Sequence, residues 1–337
     1  ATGDHAGVNA VAAQAVDSVQ PQIEALGGRV YKINPPSAKG ILKHEMSRFF
    51  AAHKNEWEAL HIHAPHFAVF ISPQAKKAGI KKICCHCHTT WYSLFPKNEF
   101  RNRLLAAPVK CLAGTRFACG TDAGKFWFKD NFYVLANAVD CAAFRFDEKR
   151  REKARQSLGF GDCLVCGNVG RLYPPQKNHP FILKIFAEVK KQRSDAKLLL
   201  VGAEEEPSLL SLAKKLEIEK DVLFLGQRRD VADLLFAMDV FLFPSLREGL
   251  PVAAIEAQAS GLPVLMASTI TREALVAPNA KMLSLEASPR EWANAAASAA
   301  LEARKDNYDI MKAAGWDIKE RAARLAEYYR TGVFRDF

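Results

Sequence analysis

The sequence predicts an α/β chain built as two doubly wound, parallel sheets in tandem. Three observations carry this. Short apolar, β-branched runs alternate with stretches of helical period, the pattern of βαβ units rather than of hairpins. A charged stretch without sheet character, 137–161, interrupts the alternation, which then starts again. The length, 337 residues, suits two domains of ordinary size. The reading is therefore two Rossmann-like domains, 1–140 and 141–315, with a last helix, 316–337, crossing back to the first. Ligand is expected in the cleft between them.

Each element follows from its local pattern. Residues 1–20 are rich in Ala and Val, show no strand, and read as one helix led by a glycine turn, so the first domain is expected to lack its first strand. A helix ends at Gly28, and a strand covers 29–33. Pro35 and Pro36 break the chain before an amphipathic helix, 41–53, with Leu42, Met46, Phe49 and Phe50. Strand 58–63, helix 66–78 and strand 81–88 come next. The loop 89–100 carries Trp91, Tyr92 and Phe95 as exposed aromatics. Residues 101–112 are helical, 116–119 a strand, 122–128 a helix and 132–136 a strand. The second half reads as strand 164–169, helix 180–192, strand 197–201, helix 208–216, strand 222–226 and helix 230–238. Strand 240–243, helix 250–260 and strands 264–267 and 281–285 complete the sheet. Helices close the chain, the last over 317–330 with Ile318, Ala322, Leu325 and Tyr329 on one face.

Composition narrows the class. A hydrophobic fraction of 49% with 25% charged residues is globular. No apolar run approaches the ~20 residues that span a bilayer, and residues 1–20 lack a basic leader followed by a continuous apolar core. The net charge of +10 favours anionic partners, and part of it is local. Between Lys97 and Lys129 lie seven Lys/Arg (Lys97, Arg101, Arg103, Lys110, Arg116, Lys125, Lys129) against two acids, Glu99 and Asp122. Nucleic acid is not expected, because no stacking-aromatic motif accompanies the charge. Eight cysteines in a chain of this length do not make a disulfide scaffold, and free thiols point to a reducing, cytoplasmic compartment. Cys163 and Cys166 form a C-x-x-C inside an apolar run and read as strand residues. In Cys84-Cys85-His86-Cys87-His88, alternation sends Cys84, His86 and His88 to one face and Cys85 and Cys87 to the other. Three ligands at that pitch suit no tetrahedral metal without partners from elsewhere, so no metal is expected.

The most informative stretch is 239–267, a strand–loop–helix–strand unit. Glu248 lies in its loop and Glu256 inside an Ala-rich helix whose N-terminus, from Gly249 onward, offers free amides suited to a phosphate. Carboxylates that accept hydroxyl protons, beside an amide nest for anions, fit a sugar nucleotide; the plainer alternative is a capped helix with glutamates facing solvent. Arg171 and Lys177 lie on the loop after the first strand of the second half, where cations neutralise a departing diphosphate unless they are simply solvated. The glycines there are not spaced as G-x-G-x-x-G, and no G-x-x-x-x-G-K-[ST] occurs, which argues against a dehydrogenase or a nucleotide hydrolase.

These pieces, V-G-R-L-Y-P-P-Q-K-N-H, A-K-L-L-L-V-G, V-L-F-L-G-Q-R-R-D-V, A-M-D-V-F-L-F-P-S-L-R-E-G-L-P and E-A-Q-A-S-G-L-P, resemble family 4 glycosyltransferases of the GT-B fold. The likeness is to bacterial enzymes of capsular and exopolysaccharide synthesis; it runs from about residue 23 to the C-terminus and is strongest over 164–290. By resemblance, Glu248 touches donor-sugar hydroxyls, Glu256 holds the nucleotide ribose, Gly249 and Leu250 present backbone amides, and Arg171 and Lys177 grip the diphosphate. K-K-I-C-C-H-C-H-T-T resembles the family strand that ends in H-S-H-N-T, which makes His88 the donor-sugar histidine, with His86 the second choice. His61 and His63, in E-A-L-H-I-H-A-P-H-F, read as structural. The family needs no metal and no cofactor.

The resemblance implies a retaining glycosyltransferase that moves a sugar from a UDP- or GDP-linked donor to a lipid-linked or glycan acceptor, peripheral on the inner membrane face. The 97–129 region, with the aromatics before it, would contact anionic lipid or acceptor. The alternative is an inactive or truncated relative that binds nucleotide sugar only. Three departures stand out. Arg171 and Lys177 are six apart where relatives have five. The hinge motif N-N-G-x-D is here A-N-A-V-D, with Ala138 for glycine, at a cost of about 1 kcal/mol if that position needs φ > 0. Of the G-G-x-E loop, only H-A-G-V-N at 5–9 remains.

Overall fold

The structure, a computed structural model, describes residues 10–12, 20–33, 45–93, 95–171, 175–202 and 206–335. The H-A-G-V-N segment and the first four residues of the expected helix 41–53 lie outside these.

Residues 1–20 do contain a strand. β1 (Ala10–Ala12) pairs in parallel with β2 (Val30–Lys32) as a two-stranded sheet of its own. A three-residue Ala-Val-Ala run carries too little pattern to be recognised alone; its ladder partner, some twenty residues on, is what makes it a strand. The first main sheet has β3 (Ala59–Ile62), β4 (Lys82–Cys87), β5 (Thr115–Ala118) and β6 (Tyr133–Val134), parallel and in sequential order. Helices Ala68–Lys77, Pro96–Ala106 and Thr121–Phe128 make the crossovers that parallel pairing demands. The helix expected over 101–112 starts earlier, with Pro96 in its first turn, and ends at Ala106, followed by a short turn of helix, Val109–Leu112, after Pro108. Of the aromatics expected to be exposed, Trp91 is buried and Tyr92 half-buried, and only Phe95 faces out.

The charged connector folds as helix Glu148–Leu158, capped by the Asp147 carboxylate on Arg150 N–H and ended by Gly159 in the left-handed region. The second sheet follows: β7 (Val165–Val169), β8 (Lys197–Val201), β9 (Val222–Phe224), β10 (Val240–Phe243), β11 (Val264–Ala267) and β12 (Ala280–Leu283). All pairs are parallel and the order is β12-β11-β10-β7-β8-β9, the doubly wound arrangement in which winding reverses beside the first strand. β10 and β11 are buried along their whole length, which is why they read as continuous apolar runs rather than alternations.

The last helix, Ile318–Thr331, returns to the first sheet. Tyr328 packs with Cys84, Phe117, Leu135 and Phe334, and Lys82 Nζ donates to the Tyr329 and Arg330 carbonyls at 2.5 and 2.7 Å. Its inward face is Arg321, Leu325, Tyr328 and Tyr329, whereas Ile318 and Ala322, expected on that face, are exposed. A count of apolar positions misses this because Arg321 turns in, its Nε donating to the Gly315 carbonyl. Val139 N–H donates to the Trp316 carbonyl and its own carbonyl accepts from Ile318 N–H, which ties the hinge to the start of this helix.

Candidate functional site

β7 and β10 lie side by side, Val240 opposite Cys166 and Phe241 opposite Gly167, although two strands, β8 and β9, separate them in sequence. The loops leaving their carboxyl ends diverge at the point where winding reverses, and this opens a crevice. The loop after β7 carries Gly170 and Arg171, then the helical turn Pro175–Lys177, and enters helix His179–Gln192 through Asn178. Asn178 adopts φ 59°, a left-handed conformation that asparagine tolerates, and its Nδ2 donates to the Pro244 carbonyl at 3.2 Å. Leu246 N–H donates to the Gln176 carbonyl at 2.8 Å, so the loops after β7 and β10 are laced together.

That lacing brings Lys177 to Glu248. Its Nζ lies 2.9 Å from Glu248 Oε1 and 4.6 Å from the centre of the Phe243 ring, with the two charged side chains only 16% and 7% exposed. The extra residue between Arg171 and Lys177 does not carry the lysine away from the crevice. Arg171 is exposed, with no side-chain partner among the described residues.

Glu256 sits on helix Val252–Ala259, whose Ala254, Ile255 and Ala257 are buried. The helix begins at Val252, not at Leu250, because Pro251 stands just before it with non-helical ψ of 82°. Gly249 and Leu250 are buried, and among the described residues their N–H groups meet no backbone acceptor. The Glu256 carboxyl is half-buried without a hydrogen-bond partner among the described residues, and burial pushes its pKa up to about 7.

The other wall comes from the first sheet. Gly249 lies so close to the chain leaving β4 that a Cβ there would stand 1.9 Å from the His88 carbonyl oxygen. His88 is thereby brought to the mouth of the crevice. Its ring nitrogen Nε2 lies 2.9 Å from His63 Nδ1, and its pKa is lowered to about 4, by burial first and by His63 next, with the Asn137 side chain pulling the other way. His86, the second choice, is buried beneath it. It is held well below the usual histidine range by burial and by the imidazoles of His88, His61 and His63.

Thus Lys177, Glu248, Gly249 and His88 converge, while among the described residues Arg171 and Glu256 make no hydrogen bond or ion pair with them. Four further residues enter that the sequence reading passed over. Phe243 underlies Lys177; Arg247 stacks over the Trp91 ring at 4.7 Å; Asn137 reaches His88 from the hinge; and both Glu273 carboxylate oxygens accept from Thr121 N–H at 3.0 Å. The A-N-A-V-D motif was the one signal pointing to Asn137; Arg247 and Glu273 enter through contacts between the halves and Phe243 through a contact between two loops of the second sheet, none of which a local pattern encodes.

A cavity of about 850 Å³ lies elsewhere, among Arg151, Arg155, Arg193 and Asp239. It opens at the amino ends of β7 and β10, the edge that doubly wound sheets do not use for ligands, and Arg151 and Arg155 are already paired with Asp239.

Two tandem parallel-sheet domains with a charged crevice at the switch point define a two-domain transferase of the GT-B type. Residues 164–301 match the family described as "Glycosyl transferases group 1". The chain is 30% identical over 342 residues to the putative glycosyltransferase EpsF of Bacillus subtilis, covering 94% of this chain and 86% of EpsF. It is 28% identical over 257 residues to the Escherichia coli UDP-Gal:α-D-GlcNAc-diphosphoundecaprenol α-1,3-galactosyltransferase, covering 70% of this chain and 64% of that one. In fold it is similar to Anabaena HepE in complex with UDP, with a TM-score of 0.79 at 18% identity over 96% of this chain and 92% of HepE. The chain belongs to the group 1 glycosyltransferases, family 4 of the GT-B fold. Among the described residues no helix is long and apolar enough to cross a membrane.

Proposed function

We propose that this glycosyltransferase moves a sugar, with retention of anomeric configuration, from a nucleotide donor to a lipid-linked glycan acceptor in bacterial polysaccharide synthesis. The observation that carries the reading is the Lys177–Glu248 pair at the switch point of β7 and β10, with His88 across the crevice. Transfer breaks the bond between the sugar's anomeric carbon and the diphosphate oxygen and forms one to an acceptor hydroxyl oxygen, whose proton passes to the departing diphosphate. Negative charge builds on the diphosphate, and Arg171 and Lys177 are the cations within reach of it. Donor entry would exchange partners: Lys177 leaves Glu248 for the diphosphate, and the freed Glu248 accepts from sugar hydroxyls. Glu256 accepts from the ribose, the Gly249 and Leu250 amides face the donor, and His88 meets the sugar from the first domain. These side chains supply the neutralising charge without a metal or cofactor in the transfer step. Closure of the halves would exclude water and limit donor hydrolysis.

The relatives support a nucleotide sugar, UDP- or GDP-linked: the Escherichia coli relative is named for UDP-Gal, and a Corynebacterium glutamicum relative, 28% identical over 205 residues, is named as GDP-mannose-dependent. The Escherichia coli relative's name, with its diphosphoundecaprenol acceptor, supports a lipid-linked acceptor. Exposed Phe95, Phe100 and Leu104 beside Lys97, Arg101 and Arg103 suit peripheral contact with an anionic cytoplasmic membrane face. Calorimetric titration with UDP-, GDP- and ADP-sugars tests the reading. Parent protein should bind one class, and Glu256→Ala and Arg171→Ala should each lose that binding. No binding by any nucleotide sugar would sink the proposal, and binding without transfer to any lipid-linked acceptor would favour an inactive relative.

A further inference from the structure

The face of the first sheet beneath the last helix carries four imidazoles. His61 and His63 stand two apart at the end of β3, His86 and His88 two apart at the end of β4, and the strands are parallel neighbours with His61 opposite Cys84. The alternation that gives β4 only two histidines on this face holds; the partners come from β3. One nitrogen each from His61, His63 and His86 lies within 4.8 Å of the other two. The His61 and His63 rings are stacked at 4.4 Å, 8° from parallel.

We propose that His61, His63 and His86 form a site for a divalent transition metal, zinc in the first instance, with one coordination position open. Two hydrogen bonds orient the ligands. His61 Nδ1 lies 2.5 Å from the Tyr329 hydroxyl and His63 Nδ1 lies 2.9 Å from His88 Nε2. With the imidazoles donating in these bonds, each keeps its lone pair on Nε2, which is how metal-binding histidines are held by their outer partners. Among the described residues His61 Nε2 is buried with no hydrogen-bond partner, and neither ring nitrogen of His86, a side chain only 4% exposed, has one in good geometry, although the Leu135 backbone lies near enough to act on that ring. A buried polar atom left unpaired costs about 1–3 kcal/mol, and a cation would satisfy His61 Nε2 and one of the two His86 nitrogens together, leaving the other His86 nitrogen to the Leu135 backbone. Three imidazoles without thiolate or carboxylate match zinc, copper or nickel rather than magnesium or calcium. Tetrahedral zinc with ~2.0–2.1 Å bonds needs nitrogens about 3.3 Å apart, so the stacked rings must splay by rotamer adjustment, for which exposed His63 has room. The site departs from the expectation of no metal, and it borders the donor reading: His86 was the second choice for the donor-sugar histidine, and His63 bonds to His88, the first choice.

The full chain, stripped with a chelator, is titrated with Co²⁺ and then Zn²⁺ while visible absorption is followed. One Co²⁺ per chain should bind, with the d–d bands of a low-coordinate nitrogen site and no thiolate charge-transfer band, and Zn²⁺ should displace it. His63→Ala, the exposed ligand and the variant least disturbing to the fold, and His86→Gln should each weaken Co²⁺ binding at least tenfold, with far-ultraviolet circular dichroism unchanged. Cys111→Ser, at an exposed thiol, should leave binding as it is. Absence of stoichiometric binding by the parent, a thiolate band, or binding equally tight in His63→Ala and His86→Gln would each overturn the site. Nucleotide-sugar titration of His63→Ala keeps the two readings apart, since loss of metal with donor binding intact overturns neither.

Discussion

The two sheets present very different carboxyl edges to the same crevice. The six-stranded sheet offers charges, with Lys177 and Glu248 ion-paired over Phe243, Arg171 exposed and Glu256 half-buried. The four-stranded sheet offers imidazoles, stacked on one another and held neutral by burial, His61 at about 3 and His88 at about 4. On the proposed reading, one edge exchanges ionic partners with an incoming anion. The other is a preassembled set of uncharged donors and acceptors whose arrangement does not rest on ion pairing. The difference predicts that breaking the buried ion pair of the first edge carries an electrostatic penalty that substitutions on the second do not.

The largest effect is expected at Lys177. Replacing it by Met leaves the Glu248 carboxylate, 7% exposed, without its counter-ion, which costs about 3–5 kcal/mol of stability. Urea unfolding of Lys177→Met should show that loss, and Lys177→Met combined with Glu248→Gln should recover most of it while nucleotide-sugar binding stays lost. Equal stability of the single variant and the parent would show that the pair is not buried as described. Arg171→Ala, on an exposed and unpaired side chain, should change stability by no more than about 0.5 kcal/mol yet still weaken donor binding.

Glu256 sharpens the comparison through pH. Its folded-state pKa of about 7 lies above the ordinary 4.5, so between these values the native protein binds more protons than the unfolded chain and stability falls as pH rises. Above pH 7 the cost is complete, on the order of 3 kcal/mol from the size of the shift. Glu256→Gln removes that titration. It should melt several degrees above the parent at pH 8, converge with it below pH 4.5, and bind donor about tenfold or more weakly. A melting difference independent of pH would rule out Glu256 as the group responsible.

Gly249 is where the two edges meet. A methyl group there would stand 1.9 Å from the His88 carbonyl oxygen, so Gly249→Ala must push the halves apart. The expected cost is about 1–3 kcal/mol. Transfer should suffer more than nucleotide binding, since the proposed nucleotide contacts lie on one side and His88 on the other. A split of kcat from Kd for the nucleotide measures this; an unchanged kcat would mean that the contact has no part in transfer.

The same contrast decides what could be read from the chain alone. Glu248, Gly249, Leu250 and Glu256 fall within nine consecutive residues, so one strand–loop–helix unit carries both their chemistry and their geometry. β8, β10 and β11 were legible to the residue, because buried parallel strands are short apolar runs with sharp ends. β1 was not, since three small residues become a strand only beside β2. The imidazole cluster was half legible: β4 showed two histidines on one face, but His61 and His63 join them through strand pairing, which sequence spacing does not report. The last helix was found with its face misassigned, because an inward arginine breaks the apolar count.

A small effect on stability alone is predicted at the hinge between the two edges. Ala138 stands where relatives carry glycine, and a left-handed backbone there would make the alanine a strained substitute. The non-glycine residues with positive φ among those described are Asn55, Lys129, Asn131, Asn178 and Glu217, and Ala138 is not one of them. Ala138 therefore carries no such strain. Its neighbours are fixed instead, Val139 by two backbone hydrogen bonds to the last helix and Asn137 by its contact with His88. Returning glycine to this position would release no strain and would only widen the unfolded ensemble. Ala138→Gly should destabilise by about 0.5–1 kcal/mol in thermal unfolding. A gain in stability would mean that the hinge does need the left-handed region, and that the alanine holds the two edges in a geometry the chain would otherwise leave.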